Sequence, residues 1–425
     1  MSFSEWQSTA LAEVMDIIGG GTPKTTIEEY WNGNINWISV KDFSGDSKHI
    51  FDTEKTITEL GLEKSSTKLL QPKDIIISAR GTVGELGVIK KPMAFNQSCY
   101  GLRAKQGYDP DYLYYLLKNC IKVLQNNTHG SVFSTITKDT FNQISVNIPP
   151  LQEQKAIANI LSSLDEKIEL NKQRNKTLEK IAQTLFKRWF VDFEFPNEEG
   201  NAYKSNDGEM VDSELGMIPR GWEVKALKDV LNTLEAGNRP KGGAVTRDNV
   251  VPSIGAENII ALGKYDFSKE KYVPREYFTR MKKGIVKSGD VLLYKDGAQL
   301  GRKTMFKNGF PHEECCINSH VFILRSNQET TQEFLYFWLD QDYMTKNIIN
   351  LNANSAQPGI NQSQVNTLKI LCPNKGLLDK FSEITRQMLD NIFMNAKENI
   401  TLSSIRDALL PKLMSGEIRV SDIEN

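Results

Sequence analysis

The sequence predicts an α+β protein: two duplicated α+β domains, each followed by a long helix, the two helices pairing as an antiparallel coiled coil. Three observations predict it. The chain repeats itself at long range, each copy carries short apolar runs punctuated by polar turns and glycine loops, and each copy ends in a heptad-spaced helical stretch.

The repeat begins at Trp6–Val14 (WQSTALAEV), which matches Trp222–Val230 (WEVKALKDV) 216 residues later. At that offset Gly21 meets Gly237, Ile38 meets Ile254 and Asp74 meets Asp290. The two Asp sit in QPKDIIISARGTVG and KSGDVLLYKDGAQLG, each a polar turn, an apolar strand and a Gly-rich loop. The offset then becomes 222, through Asn96 with Asn318 and Arg103 with Arg325, and DYLYYLLKN matches EFLYFWLDQ as a helix. From Ile136 and Ile360 onward it is 224. A period this long is a duplicated module, not a solenoid repeat.

The elements follow in order. Residues 1–150 form the first domain and 151–192 the central helix; 193–215, polar and acidic, form a linker. Residues 216–374 form the second domain, 375–416 the distal helix and 417–425 a tail. In the central helix a 4-3 spacing runs through Leu161, Leu164, Ile168, Asn171, Asn175, Leu178, Ala182, Leu185 and Trp189. Its counterpart runs through Phe381, Thr385, Met388, Ile392, Asn395, Asn399, Leu402, Arg406, Leu409 and Leu413, where Ile384 and Ile405 can serve in place of Thr385 and Arg406. The Asn pair recurs in register. A buried amide in a seam weakens pairing but disfavours slipped registers, because the slip leaves it without hydrogen bonds. Packing of each helix on its own domain is the alternative.

Composition narrows the function. The chain has 425 residues, 39% hydrophobic and 25% charged, as in a globular protein of two to three domains. No apolar run is long enough to span a bilayer and the N-terminus is no secretory signal, so a cytoplasmic protein without a membrane partner is expected. Cys99, Cys120, Cys315, Cys316 and Cys372 form no CxxC and are expected as reduced thiols. A net charge of −1 gives no global basic field, so any nucleic-acid surface must be local.

No catalytic or metal centre is legible. Asn147, Pro149 and Pro150 imitate half of an adenine-methyltransferase loop, but Leu151 follows where an aromatic is needed, and no GxGxxG or GxxxxGK[ST] occurs. Asp165, Glu166 and Lys167 fall mid-helix, as a solvated face rather than a nuclease cluster. His49, His129, His312 and His320 have no ligand spacing.

PPLQEQKAIANILSSLDEKIELNKQ, LEKIAQTLFKRWFVDF, GEMVDSELGMIPRGWEV and the closing ALLPKLMSGEI closely resemble the specificity (S) subunit of type I restriction-modification systems, over nearly the whole chain. The resemblance implies a non-catalytic DNA-binding subunit with two target-recognition domains, which read a bipartite, asymmetric site in double-stranded DNA. The paired helices would set the gap between half-sites and dock two modification (M) subunits that methylate adenine from S-adenosylmethionine. Restriction (R) subunits would add ATP- and Mg-dependent cleavage for host defence. The chain itself would bind no cofactor.

Candidate DNA contacts are polar and basic residues at equivalent loops of the two copies. In the first copy they are Thr22, Lys24, Thr25, Lys41, Arg80, Thr82, Asn96, Gln97, Ser98, His129, Ser131 and Lys138. In the second they are Asn238, Arg239, Lys241, Lys295, Gln299, Arg302, Lys303, Asn318, Ser319, His320, Asn361, Gln362 and Ser363. Arg, Asn and Gln can pair bidentately with base edges; Lys and Ser mostly hold phosphates. Ordinary solvated or turn-forming roles stand beside that reading, as do salt-bridge roles for Arg103 and Arg325. Lys187, Arg188, Trp189 and Phe190 end the central helix either as core against the first domain or as a docking site. A single-chain methyltransferase or nuclease with unrecognised motifs, and a protein-binding scaffold, are the competing functions.

Overall fold

The turn–strand–glycine phrase found twice in the sequence becomes, in each copy, a strand inside a sheet with its side chains buried. The structure, a computed structural model, describes residues 6–43, 47–126, 135–238, 240, 248–352 and 358–420. Packing divides the chain into two units, residues 1–169 with 401–425, and residues 170–400.

In the first unit a five-stranded sheet runs in the order Met15–Gly19, Cys99–Ala104, Ile75–Ser78, Leu86–Ile89, His49–Ile50. Ile75 and Ile77 point into the core that also holds helix Pro110–Asn126, while Ile76 points to the opposite core with Ile38 and Phe95. Alternation at period two lets one short strand fill both. A second sheet is ordered Lys55–Ile57, Trp31–Ile38, Met93–Phe95, Leu69–Leu70. Strand Gln7–Ala10 pairs antiparallel with Ser145–Ile148. Pro149 and Pro150 then end that strand, and the 40-residue helix Leu151–Phe190 begins. Proline has no N–H to continue a ladder yet suits the entry to a helix. The buried Gln154 amide donates back to the Pro149 carbonyl at 2.9 Å.

The second unit repeats this scheme. Leu231–Ala236, Val321–Ser326, Asp290–Tyr294 and Lys303–Phe306 form its main sheet in that order, and Glu223–Ala226 pairs with Lys369–Cys372. The 41-residue helix Lys375–Ser415 follows, with the Asn374 side chain accepting from the Leu377 N–H at 2.9 Å as its cap. The repeat extends to single bonds. Asp74 accepts from Gln71 N–H and ion-pairs with Arg103 through both carboxylate oxygens; Asp290 accepts from Lys287 N–H and does the same with Arg325. Before these Asp the backbone turns through positive φ, at Lys73 (75°) and Gly289 (90°). Only the second copy places there the residue that adopts it without strain.

Residues 193–215, the segment between the two copies, carry structure of their own: Phe195 is buried, stacks on Tyr203 and Trp222, and Met210–Ser213 forms a hairpin with Gly216–Pro219. Three expectations are corrected. Trp189 and Phe190 are core, but of the second unit, where Phe190 packs on Trp222, Phe334 and Phe381. Ile384 and Ile405 are exposed and replace nothing; the buried Thr385 hydroxyl donates to the Phe381 carbonyl, and Arg406 pairs with Asp165. Asp165 is therefore buried rather than part of a solvated face.

Among the seam residues, Leu161, Ile168, Asn171, Ile392 and Asn395 are buried, and Leu164, Asn175, Leu178, Leu185, Met388, Asn399, Leu402 and Leu409 are half-buried. Burial steps from 161 to 165 and from 182 to 186, so Asp165 and Phe186 are more enclosed than Leu164 and Leu185. Each of the two meets a residue outside the helix seam, Asp165 the Tyr115 hydroxyl and Phe186 the rings of Phe334 and Phe337. Within the second unit, Asn171 donates to Glu398 (2.7 Å) and Asn399 (3.0 Å), and the Asn395 amide donates to Asn175 (2.8 Å). Ascending numbers on one helix meet descending numbers on the other, so this pairing is antiparallel.

Candidate nucleic-acid interface

Sheet register decides which loops meet. In the first unit Gly19 pairs with Tyr100, and Ser78 with Cys99. The loops after Gly19, after Ser78 and before Cys99 therefore emerge at one end of one sheet. A backbone knot ties them: Ala79 N–H donates to Ser98 O (2.8 Å), Ile136 N–H to Ala79 O (3.0 Å), and Asn96 N–H to Ile38 O (2.9 Å). The second unit ties the same knot at the repeat's offsets. Lys295 N–H donates to His320 O (3.1 Å), Ile360 N–H to Lys295 O (2.8 Å), and Asn318 N–H to Ile254 O (2.9 Å).

The candidate residues of the first unit gather at this knot. Thr22 donates to the exposed Gln97 side chain, and Arg80 N–H donates to Ser98 O. Lys24, Thr25, Arg80, Thr82 and Lys138 are exposed. Lys41 is exposed and lies 3.8 Å from Glu54. Its turn follows strand Trp31–Ile38, whose end pairs with Phe95, beside Asn96. Asn96 is a turn former, its side-chain Oδ1 accepting from Ser98 N–H. His129 and Ser131 lie outside the described residues.

In the second unit, several candidates are already committed to the fold. Lys303 is buried; its ammonium donates to Thr345 (2.6 Å) and lies 3.8 Å from Asp340. Burial pulls that ammonium below the ordinary lysine range, with Asp340 opposing. Enclosed and paired in this way, Lys303 has no face for a phosphate, which corrects its reading as a contact. Asn318 is buried and makes the Asn96 turn again, accepting from His320 N–H at 2.8 Å. Arg302 donates to Ile259 O and Gln299, and Asn361 caps Gln362–Asn366. Gln362 donates to Leu234 O. Asn238, Gln299, Asn361, Gln362 and Ser363 are exposed, and Ser319 and His320 half-buried. Arg239 and Lys241 lie outside the described residues.

Sequence reasoning missed Asp296. It stands 216 residues after Arg80, lies 3.2 Å from Lys295 and 2.5 Å from His320, and so holds two candidate contact residues at once. The offset alone would have exposed this reversal of charge. Among the described residues no group of three His, Cys, Asp or Glu could hold a metal ion, and no helix is long and apolar enough to cross a membrane.

The family described as type I restriction modification DNA specificity domain matches residues 3–180 and 219–401. The chain is 30% identical to the MjaIX specificity subunit of Methanocaldococcus jannaschii, over 99% of this chain and 95% of that one. It is 29% identical to the HindI specificity subunit of Haemophilus influenzae, over 73% and 77%. The crystal structure of a type I restriction-modification S subunit from M. genitalium shares the fold at a TM-score of 0.59, with 16% identity over 97% of this chain and 96% of that one. With its duplicated units, two long helices and full-length relatives, the chain belongs to the specificity subunits of type I restriction-modification systems.

Proposed function

We propose that the chain reads a bipartite, asymmetric site in double-stranded DNA, one half-site with each knotted loop end. The observation that carries this reading is the contrast between frame and tip. The hydrogen bonds that place the loops recur in both units, whereas the side chains on them differ, as Arg80 and Asp296 do. A shared frame with unlike tips suits one binding geometry and two sequences. Arg80, Gln97 and Lys24 with Thr22, Thr25 and Thr82 are the leading contacts of the first unit. Asn238, Gln299, Ser319 and Ser363 are the leading contacts of the second.

The helices Leu151–Phe190 and Lys375–Ser415 are each about 60 Å long at 1.5 Å per residue, and set the gap between half-sites. Two modification subunits dock on the chain and methylate adenine with S-adenosylmethionine; restriction subunits supply cleavage with ATP and Mg. No step of that chemistry is assigned to this chain, which acts in the cytoplasm with its partners. Methylome sequencing of a host carrying the gene with its neighbours tests the reading. A two-part methylated motif with a fixed gap is expected, and a continuous motif or none at all would contradict it. Lengthening both helices by whole turns should widen the gap and leave both half-motifs intact.

A further inference from the structure

One polar cluster within the first unit has no polar counterpart in the second. The Asp165 carboxylate is buried on the central helix, where it accepts from the Tyr115 hydroxyl at 2.6 Å and from Arg406 Nη1 at 2.6 Å. Tyr115 is fully buried, and the Arg406 guanidinium is mostly enclosed. Burial alone would raise the Asp165 pKa, but the hydroxyl and the guanidinium outweigh it and hold the carboxyl below its usual range.

The offsets of the repeat identify the matching positions in the second unit. Tyr115 corresponds to Phe337 (222 later), Asp165 to Leu389 (224 later), and Arg406 to Ala182 (224 earlier). All three are apolar and fully buried in the second unit's core. The three positions have changed character together, as a hydrogen-bonded set must if no member is to be left buried without a partner.

The consequence lies in which helix each can accept. The register that sets Asp165 against Arg406 has residue numbers summing to 571, and it sets Ala182 against Leu389, which again sum to 571. If two copies of the central helix paired in this register, Asp165 would face Ala182 and lose its guanidinium partner, keeping the Tyr115 hydroxyl and the field of Lys118. If two distal helices paired, Arg406 would face Leu389 and lose the buried carboxylate, keeping Asp407 of its own helix at 2.8 Å. An enclosed carboxylate or guanidinium that loses its directly bonded ion partner is disfavoured. The amide layer does not discriminate, because Asn171 would simply meet Asn175 of the other copy. Mixed pairing alone gives Asp165 and Arg406 each other.

We propose that Tyr115, Asp165 and Arg406 are a pairing-selectivity device, which admits the central helix against the distal helix and rejects a second copy of this chain. Without it, two chains could exchange helices into a swapped dimer, the standing hazard of a duplicated protein. The device is independent of the DNA reading and holds even if that reading fails.

The test uses the full-length chain with Gln173→Cys, a position near the point where two central helices would cross. Protein is diluted from denaturant at micromolar concentration, oxidised, and read by light scattering and by non-reducing electrophoresis. Three chains are compared: one with no other change, one with Tyr115→Phe, Asp165→Leu and Arg406→Ala, and one with Phe337→Tyr, Leu389→Asp and Ala182→Arg. The first set removes the device and the second duplicates it, so both make the seam accept like helices. The otherwise unaltered chain should stay monomeric and free of a disulfide through the introduced thiol, while the disulfide-linked dimer should rise on the order of tenfold or more in both altered chains. Monomers only, from whichever altered chain folds, would overturn the proposal. So would a disulfide between introduced thiols forming as readily in the otherwise unaltered chain, whatever the altered chains do.

Discussion

After the buried strand Ile75–Ser78 the first unit places Arg80, exposed; after Asp290–Tyr294 the second places Asp296, paired with Lys295 and His320. The backbone around both is tied by the same three hydrogen bonds. The helix seam repeats the contrast, with Tyr115, Asp165 and Arg406 in one unit and Phe337, Leu389 and Ala182 at the matching places. A duplicated fold thus keeps what fixes its loops and varies what the loops present. Bonds buried beneath the tip are costly to lose, while exposed tip residues change at little expense to stability.

The largest effect should come from breaking the shared frame, and it should differ between the units. Asp290 and Asp74 are both buried, but Arg325 is one-fifth exposed and Arg103 more than two-fifths. Asp290→Ala leaves a poorly hydrated guanidinium with Glu235 at 3.5 Å and the Ile285 carbonyl but without its bidentate partner, and should destabilise the second unit by about 3 kcal/mol or more. Asp74→Ala should cost about 1–3 kcal/mol, because water can reach Arg103. Denaturant unfolding of each variant checks this, and equal losses would break the comparison.

Changing the tips should matter less to stability and more to DNA. Arg80→Ala should weaken binding by about 1–3 kcal/mol if it reads a base, or flatten the slope of log affinity against log salt by about 1 if it holds a phosphate. Asp296→Asn releases Lys295 and His320 and should steepen that slope by about 1. Titrations over a salt series measure both; an unchanged slope for Asp296→Asn would mean that Lys295 faces no phosphate.

The smallest effect concerns acid. Burial, with Lys90 and Lys48 nearby, lowers the His49 pKa from 6.5 to about 4. An unfolded chain binds that proton first, so the contribution of His49 is fully present above pH 6.5 and is lost as pH falls toward 4. Because the site is partly hydrated, His49→Gln should flatten the acid limb of the stability curve only slightly. A steeper acid limb would reverse the assignment.

Much of the fold was legible because its signals are local or duplicated. The polar turn before Asp74 and Asp290, the strand–proline–helix junction at residues 145–151 and the two Asn of the seam can all be read without knowing what packs on them. What escaped depends on a third element. Asp165 reads as solvated until Tyr115 and Arg406 arrive from other helices. Phe195 and Tyr203 read as linker until Trp222 stacks between them and the core. Lys303 reads as a basic loop residue until Asp340 and Thr345 enclose it. The candidate site was legible as a set of loops, since register brings those loops together. It was not legible as a set of free side chains, because Asp296, Asn318 and Arg302 spend their polarity inside the fold.

The central claim is that each unit reads its own half-site. Its most direct test replaces residues 1–145 with the equivalent domain of another specificity subunit and sequences the methylome of the host. One half of the methylated motif should change, with the other half and the gap retained. A change in both halves, or in neither, would contradict the account.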